Sequence, residues 1–227
     1  KTIAKRHGLY ASFMPKPKYG MCGSGMHINM SLFNKEGQNI FVDENDKNGL
    51  SKEAYNFIAG LMKHMRSMTA IINPIVNSYK RLVPGYEAPT YIAWSATNRS
   101  PLIRVPAARG LGTRVELRSP DCATNPYLAI AVCLAAGLDG IKNNLQPVDS
   151  IQRDIYSMTD EERDEAGIEN LPKNLYEAIQ EMRKSDFVKG VLGKEVFKKY
   201  IKAKEEEWME YTSQVTDWEI DRYLGRI

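Results

Sequence analysis

A glycine-rich segment that leads into alternating polar side chains is the first place where residue types and spacing could support chemistry. The glycines allow a ligand to approach the backbone closely, and they are Gly20, Gly23 and Gly25. The polar residues that follow share one face of a strand and are His27, Asn29 and Ser31. An imidazole, an amide and a hydroxyl in a row suit a complex of a metal with phosphate. On spacing alone, a glycine-rich hairpin with a polar outer face is the simpler interpretation.

A dense set of arginines forms the second candidate site. Its members are Arg81, Arg99, Arg104, Arg109, Arg114 and Arg118. Arginine stays charged and grips carboxylates or phosphates with a planar fork of donors. Arg114, Glu116 and Arg118 alternate, so a strand would point all three to the same side. The pattern suits an anionic substrate with more than one charged group, and surface salt bridges are an equally good interpretation.

A stiff loop at residues 83–89 holds one glutamate between two prolines, beside a glycine. Proline restricts the backbone and glycine permits tight turns, so the sequence VPGYEAP predicts a loop of defined shape. Glu87 in such a loop could close over a site as a lid. An ordinary turn is the alternative interpretation.

Short strands and two long helices must position these residues. Alternation and turn residues predict strands at residues 9–14, 26–33, 91–93, 102–105 and 114–118. A helix is predicted from Ser51, an N-terminal cap, to about Asn73, where Pro74 stops it. Asn125 and Pro126 open a second, apolar helix that extends to about residue 143. Beyond residue 149, charged amphipathic helices are predicted at residues 160–165, 174–184, 194–211 and 217–224.

Composition narrows the classes of protein to which the chain can belong. Its 227 residues, 43% hydrophobic and 26% charged, are an ordinary globular mixture. The net charge of +3 is too small and too evenly mixed to predict nucleic-acid binding. The longest apolar run, residues 127–138, is too short to span a bilayer. Cys22, Cys122 and Cys133 lack metal-ligand spacing, which predicts free thiols in a reducing cytoplasm.

Several motifs in order make the chain resemble the class I glutamine synthetases. They are the glycine-rich segment with His27 and Ser31, NSYKRLVPGYEAP at residues 77–89, NRS at 98–100, RVELR at 114–118 and NPYL at 125–128. The matches extend across residues 13–142, and the C-terminal helices are similar more loosely. The short AARGLGT connection at residues 107–113 resembles the alpha branch found in many bacteria. The chain is therefore identified as a member of this family, from the C-terminal part of its catalytic domain.

The resemblance implies an α+β fold with a curved antiparallel sheet and helices on one side, of the glutamine synthetase and guanidino kinase type. Residues 1–148 would be the C-terminal part of the catalytic domain, and residues 149–227 a helical C-terminal region packed on the same domain. Intact members of the family are dodecamers of two stacked hexameric rings, with each site between neighbouring subunits. Part of the site would then lie outside this chain, which predicts that it is inactive alone.

The family joins glutamate to ammonia with ATP through γ-glutamyl phosphate, and its complete site holds two divalent cations, Mg²⁺ or Mn²⁺. The implied metal ligands are His27 and Glu116. The implied glutamate-binding residues are Gly23, Arg81 and Arg118. Those implied for ATP are Asn29, Ser31, Arg104 and Arg114. Glu87 and Arg99 match catalytic residues: the first shields the acyl phosphate and deprotonates ammonium, and the second stabilises phosphoryl transfer.

Two positions depart from the family pattern, and two others correspond to positions tied to regulation in some relatives. Cys22 stands where the family usually has Asn beside the glutamate site, and Cys122 near a position where it often has Pro. Tyr156 lies in a loop that some relatives modify by adenylylation, and the alpha-type features argue against that modification here. Glu207 matches a position tied to glutamine feedback in the alpha branch.

Two other functions stay open at this point. A relative of the same superfamily could join glutamate to an amine other than ammonia, because the ammonium pocket is built largely by residues outside this chain. A non-catalytic structural or regulatory homologue would be expected to lack Glu87, Arg99 or Glu116. All three are present, which ranks that alternative lower.

Overall fold

The computed structural model describes residues 1–98 and 100–226, and the elements below belong to this part of the chain. The helices are α1 (Thr2–Arg6), α2 (Lys52–Ile72), α3 (Val76–Arg81), α4 (Pro126–Lys142), α5 (Asp160–Glu165), α6 (Leu175–Arg183), α7 (Asp186–Leu192), α8 (Lys194–Thr212) and α9 (Asp217–Tyr223). The strands are β1 (Ile28–Met30), β2 (Tyr91–Ile92), β3 (Trp94–Ser95), β4 (Ile103–Arg104), β5 (Val115–Leu117) and β6 (Glu169–Asn170). Two short 3₁₀ helices are Gly110–Gly112 and Ile155–Ser157. None of the described helices is long and apolar enough to cross a membrane.

Helices α2 and α4 begin and end where their capping residues predict. The Ser51 hydroxyl accepts a hydrogen bond from the Ala54 N–H at the start of α2, and Asn73 follows its last residue. The Asn125 side chain accepts from two N–H groups in the first turn of α4. Pro126 is the first helical residue, a position where its missing N–H has no helical partner to lose. Both predicted helices are therefore confirmed.

Helices α2 and α4 cross in direct backbone contact. Gly60 of α2 faces Gly140 of α4, and a Cβ added to Gly140 would overlap the carbonyl oxygen of Asn56. Gly137 in the same way makes room for the ring of Phe57, which is fully buried. Glycine therefore lets the two helices approach more closely than side chains would allow.

The main sheet has the strand order β1-β5-β4-β3. Strands β1 and β4 both pair antiparallel with β5, whereas β3 pairs parallel with β4. The predicted antiparallel arrangement is thus found for the strands that carry the motifs, and the β3 edge differs from it. Val115 and Leu117 of β5 are fully buried in the core that also contains α2 and α4. Sheet and helices share this core, which confirms the α+β class.

Several features differ from the sequence predictions, which did not include helices α1 and α3. Residues 9–14 form no strand: no described segment pairs with them, and the side chains of Leu9 and Tyr10 are 67% and 92% exposed. Strands β3 and β6 were missed because two residues are too few to show alternation. Helix α7 was missed because it is short and contains Gly190, which lowers helix propensity.

The region after residue 149 packs on α2 through an apolar stripe. Leu175, Ile179 and Met182 of α6 are fully buried in the same core as α2. The Tyr200 hydroxyl of α8 donates a hydrogen bond to the Ala70 carbonyl of α2 at 2.8 Å. The residues before and after position 148 contribute to one core. The domain boundary at residue 148 stays a prediction.

Gly140→Ala should lower the free energy of unfolding by about 3 kcal/mol, because the new methyl group overlaps backbone that α2 cannot withdraw. Gly190→Ala in α7 is the matched control, since its Cβ would meet no atom within 4 Å. The control should gain about 0.5 kcal/mol from its better helix propensity. Urea unfolding of both variants measures the two changes. A Gly140→Ala midpoint equal to that of the parent would show that the helices are not in backbone contact.

Candidate active site

A row of polar residues crosses the sheet from β1 to β3. The strand register sets Asn29 of β1 opposite Glu116 of β5. It then sets Glu116 opposite Arg104 of β4, and Arg104 opposite Ser95 of β3. Directly opposed residues share a face of the sheet. Four strands therefore present these groups to one side, opposite the apolar face that packs on the core.

Glu116 lies between an imidazole and a guanidinium. Its Oε1 is 3.0 Å from His27 Nδ1, and its Oε2 accepts a hydrogen bond from Arg104 Nη1 at 3.3 Å. Glu116 is only 9% exposed, so these partners satisfy a carboxylate that water barely reaches. Sequence reasoning linked His27 and Glu116 to a metal and Arg104 to ATP, and the structure brings all three together.

The pair of His27 and Glu116 fits a divalent cation as part of a ligand set. Its imidazole nitrogen and carboxylate oxygen are 3.0 Å apart, and Mn²⁺ accepts both donor types while Mg²⁺ prefers the oxygen. Among residues 1–98 and 100–226, no group of three or more His, Cys, Asp or Glu side chains could hold a metal. The pair could therefore contribute two ligands to a cation, and the remaining positions would suit water, phosphate or further carboxylates.

Arg114 and Asn29 extend the polar face along β1 and β5. Arg114 Nε donates a hydrogen bond to Asn29 Oδ1 at 2.9 Å, and its Nη1 donates to a backbone carbonyl two residues earlier. Ser31 follows β1 directly and is exposed. Asn29 and Arg104 flank Glu116 from the two neighbouring strands. The residues predicted to bind ATP thus surround the residues predicted to bind a metal.

Arg81 lies beneath the glycine-rich segment. It is 4% exposed, and its Nη1 and Nη2 donate to the carbonyls of Ser119 and Arg118 at 2.6 and 3.2 Å. A Cβ added to Gly25 would lie 2.5 Å from Arg81 Nη2, and one added to Gly23 would lie 3.0 Å from Arg81 Cγ. Burial lowers the pKa of Arg81, which stays charged because arginine titrates far above neutral pH. The structure therefore joins Gly23 and Arg81, both predicted for the glutamate site.

A buried carboxylate that sequence reasoning missed supports Arg81. Asp121 is fully buried, and burial raises its pKa, while a 3.0 Å hydrogen bond from Asn73 Nδ2 and the charge of Arg81 lower it. Asn73 also donates to the Ser119 carbonyl at 2.9 Å. The end of α2 thus holds the backbone that Arg81 binds. An acidic residue just after the RVELR motif was the signal that could have identified Asp121.

Glu87 and Arg118 line a cavity of about 510 Å³. Its other lining residues come from the VPGYEAP loop, the NRS motif and the C-terminal region, namely Gly85, Asn98, Ser100, Asp154 and Tyr156. Burial lowers the pKa of Arg118, and the nearby charges of Glu116 and Glu87 raise it. The sequence analysis placed Tyr156 in a loop and considered it only for modification, so its place in the lining of the cavity was missed. The predicted catalytic residue Arg99 lies outside the described residues.

Strand β5 connects the row on the sheet with the cavity. Glu116 belongs to the row, and Arg118 follows directly after the last residue of the same strand. Regular strand geometry therefore fixes the separation between the pair of His27 with Glu116 and the cavity.

The two cysteines that depart from the family pattern differ in their exposure to solvent. Cys122 Sγ lies 3.2 Å from the Phe13 carbonyl oxygen, and Cys22 is exposed. Glu207 of α8 accepts a hydrogen bond from the Val76 N–H at 3.1 Å, at the start of the helix that ends in Arg81. A role of Glu207 in glutamine feedback stays a prediction.

Comparison with known proteins adds independent findings. The family described as glutamine synthetase, catalytic domain, matches residues 1–223. A glutamine synthetase of Clostridium saccharobutylicum is 62% identical over 226 residues, and one of Methanosarcina mazei is 57% identical over 227 residues. Both alignments cover 100% of this chain and 51% of the relative. The chain therefore spans about half the length of the curated relatives that it matches.

Two solved structures have the same fold over nearly the whole chain. One is GmaS without ligand, with a TM-score of 0.86, and the other is a GmaS/ADP complex, with a TM-score of 0.87. Each is 39% identical in sequence, and each match covers 99% of this chain and 50% or 51% of the GmaS chain. The family match across residues 1–223, together with these relatives, shows that the chain belongs to the glutamine synthetase catalytic-domain family.

Proposed function

We propose that this chain forms the C-terminal part of the catalytic unit of an ATP-dependent ligase that joins ammonia to glutamate and releases glutamine. The arrangement along β5 carries the proposal, because a metal-ligand pair at Glu116 and the cavity at Arg118 lie two residues apart. Relatives named glutamine synthetase that are 54–62% identical to this chain favour the same chemistry.

The first step would be a phosphoryl transfer. A γ-carboxylate oxygen of glutamate attacks the γ-phosphorus of ATP, the bond from that phosphorus to the bridging oxygen breaks, and ADP leaves with the bonding electrons. Such a reaction needs positioning and neutralisation of charge more than covalent help. We assign Arg99 to the transferring group, and Gly23, Arg81 and Arg118 to glutamate.

The second step would form the amide. Ammonium gives one proton to the Glu87 carboxylate, and the ammonia nitrogen then attacks the acyl carbon of γ-glutamyl phosphate. The bond from that carbon to the phosphate oxygen breaks, and the departing phosphate takes a second proton from nitrogen. Glu87 lies on an exposed loop at the cavity. We infer that the loop also shields the acyl phosphate from water.

The polar face of the sheet would bind the nucleotide. His27 and Glu116 would hold one of two divalent cations, Mg²⁺ or Mn²⁺, and a cation there neutralises charge on the phosphates. The residues that we assign to ATP are Asn29, Ser31, Arg104 and Arg114. The hydrogen bonds of Arg114 to Asn29 and of Arg104 to Glu116 support this assignment, because they orient two guanidinium groups on that face.

We also propose that the full-length protein is a cytoplasmic dodecamer of two hexameric rings, as in the family it resembles. Two metal ligands among the described residues do not complete a site, and the relatives are about twice as long as this chain. The missing ligands would come from the rest of the full-length protein or from a neighbouring subunit.

Ammonia should be the preferred amine of the full-length protein. The alternative is a ligase that acts on another amine, and the identity of 54–62% to relatives named glutamine synthetase favours ammonia. Phosphate release with glutamate, ATP and either ammonia or a panel of small primary amines measures kcat/KM for each. A clear preference for an organic amine would show that the main product is another amide of glutamate and not glutamine. Absence of phosphate release with every amine would favour the non-catalytic homologue.

Glu87→Ala in the full-length protein should uncouple the reaction. Phosphoryl transfer keeps its guanidinium groups, but the acyl phosphate loses its shield and its proton acceptor. ATP hydrolysis should persist, while glutamine formation falls by roughly two orders of magnitude. The control is Glu44→Ala, which removes an exposed carboxylate outside the described site. A parallel loss of both activities in Glu87→Ala would contradict the role as a lid.

The 227-residue chain on its own should make no glutamine. Its described residues offer one imidazole and one carboxylate to a cation, and Mg²⁺ keeps its waters unless phosphates and further carboxylates assist. Glutamine formation by purified residues 1–227, with Mg²⁺ or Mn²⁺, is compared with that of the full-length protein at the same molar concentration. Robust turnover by the shorter chain would show that no further ligands are needed.

A further inference from the structure

Glu87 occupies a strained turn. Its φ is +60°, in the left-handed region that side chains rarely adopt. The Ala88 N–H donates a hydrogen bond to the Tyr86 carbonyl at 2.8 Å, which closes a three-residue turn around Glu87. A γ-turn with a positive φ at its centre is rare and strained. Such a conformation persists only where the surroundings hold it in place.

Two side chains hold this turn, one at each end. The Tyr156 hydroxyl donates a hydrogen bond to the Ala88 carbonyl at 2.8 Å. At the other end, Lys16 Nζ lies 3.6 Å from the centroid of the Tyr86 ring. Lys16 is only 8% exposed, and its backbone exchanges hydrogen bonds with the Asn77 side chain. The turn is therefore fixed from outside the loop.

Tyr156 is itself well anchored. It lies in the 3₁₀ helix Ile155–Ser157, where the Asp154 side chain accepts a hydrogen bond from its N–H. Its ring packs edge-on against Tyr91, with ring centroids 5.6 Å apart. Burial raises the pKa of Tyr156, so its hydroxyl keeps the proton that it donates to Ala88. A rigid residue thus holds an exposed loop.

We propose that Tyr156 is a positioning residue, which sets the direction of the Glu87 carboxylate by holding the carbonyl of Ala88. Tyr156 also lines the cavity that contains Glu87 and Arg118. Loss of the hydroxyl would let the turn relax toward an ordinary φ and move the carboxylate away from the cavity. The inference rests on the proposed function, because the direction of the Glu87 carboxylate matters only if that group shields the acyl phosphate and deprotonates ammonium.

Tyr156→Phe in the full-length protein tests this inference, because it removes only the hydroxyl and keeps the ring against Tyr91. The readout is the ratio of ATP hydrolysed to glutamine formed, with thermal unfolding measured in parallel. We expect the ratio to rise roughly three- to tenfold, the range that loss of one hydrogen bond gives. The matched control is Tyr200→Phe, which removes an equivalent 2.8 Å bond to a carbonyl in the helical core. It should lower the unfolding temperature and leave the ratio unchanged.

The double variant Tyr156→Phe with Glu87→Ala separates positioning from general stability. If Tyr156 acts through Glu87, the Phe substitution has no further effect on the ratio once the carboxylate is absent. An unchanged ratio in Tyr156→Phe, or the same rise with and without Glu87, would overturn the inference while leaving the proposed function intact. A normal ratio in Glu87→Ala alone would instead overturn the proposed lid, and this inference with it.

Discussion

The backbone contact between α2 and α4 is the constraint on which the rest of the site depends. Gly60 and Gly140 leave no side chain between the two helices. The end of α2 therefore lies close to the connection that leads from β5 to the start of α4. The Asp121 N–H donates to the carbonyl of Ile72, the last residue of α2, at 3.1 Å. The connection from β5 to α4 is thus attached to α2, and β5 is held in place together with Glu116.

Buried charges then fix the arginine below the glycine-rich segment. Burial acts against the charge of both Arg81 and Asp121, and their mutual attraction opposes that effect. The carbonyls of Ser119 and Arg118 accept hydrogen bonds from two of the five guanidinium N–H donors of Arg81. A buried charge is tolerated here because neighbouring groups satisfy it. These contacts make the structure rigid beneath the glycine-rich segment, which contains Gly23, a residue that we assign to glutamate binding.

The candidate site combines a rigid half with a strained half. On the sheet, paired strands hold Glu116 between His27 and Arg104, an arrangement suited to phosphate and metal because its charges are fixed in advance. At the cavity, Glu87 lies on an exposed turn with a positive φ, held by the Tyr156 hydroxyl. The proposed chemistry on an acyl phosphate would need a cover that can admit substrate, and a loop provides that more readily than a sheet.

Local signals in the sequence determined the long helices, because caps and apolar periodicity involve residues within a few positions of one another. Ser51 and Asn125 mark the starts of α2 and α4 for that reason. The ordered motifs likewise determined the family. Only the tertiary structure decided which residues meet, since the contact of His27 with Glu116 joins positions 89 residues apart and that of Tyr156 with Ala88 joins positions 68 apart. Such contacts arise from strand register and helix packing, which no short stretch of sequence encodes.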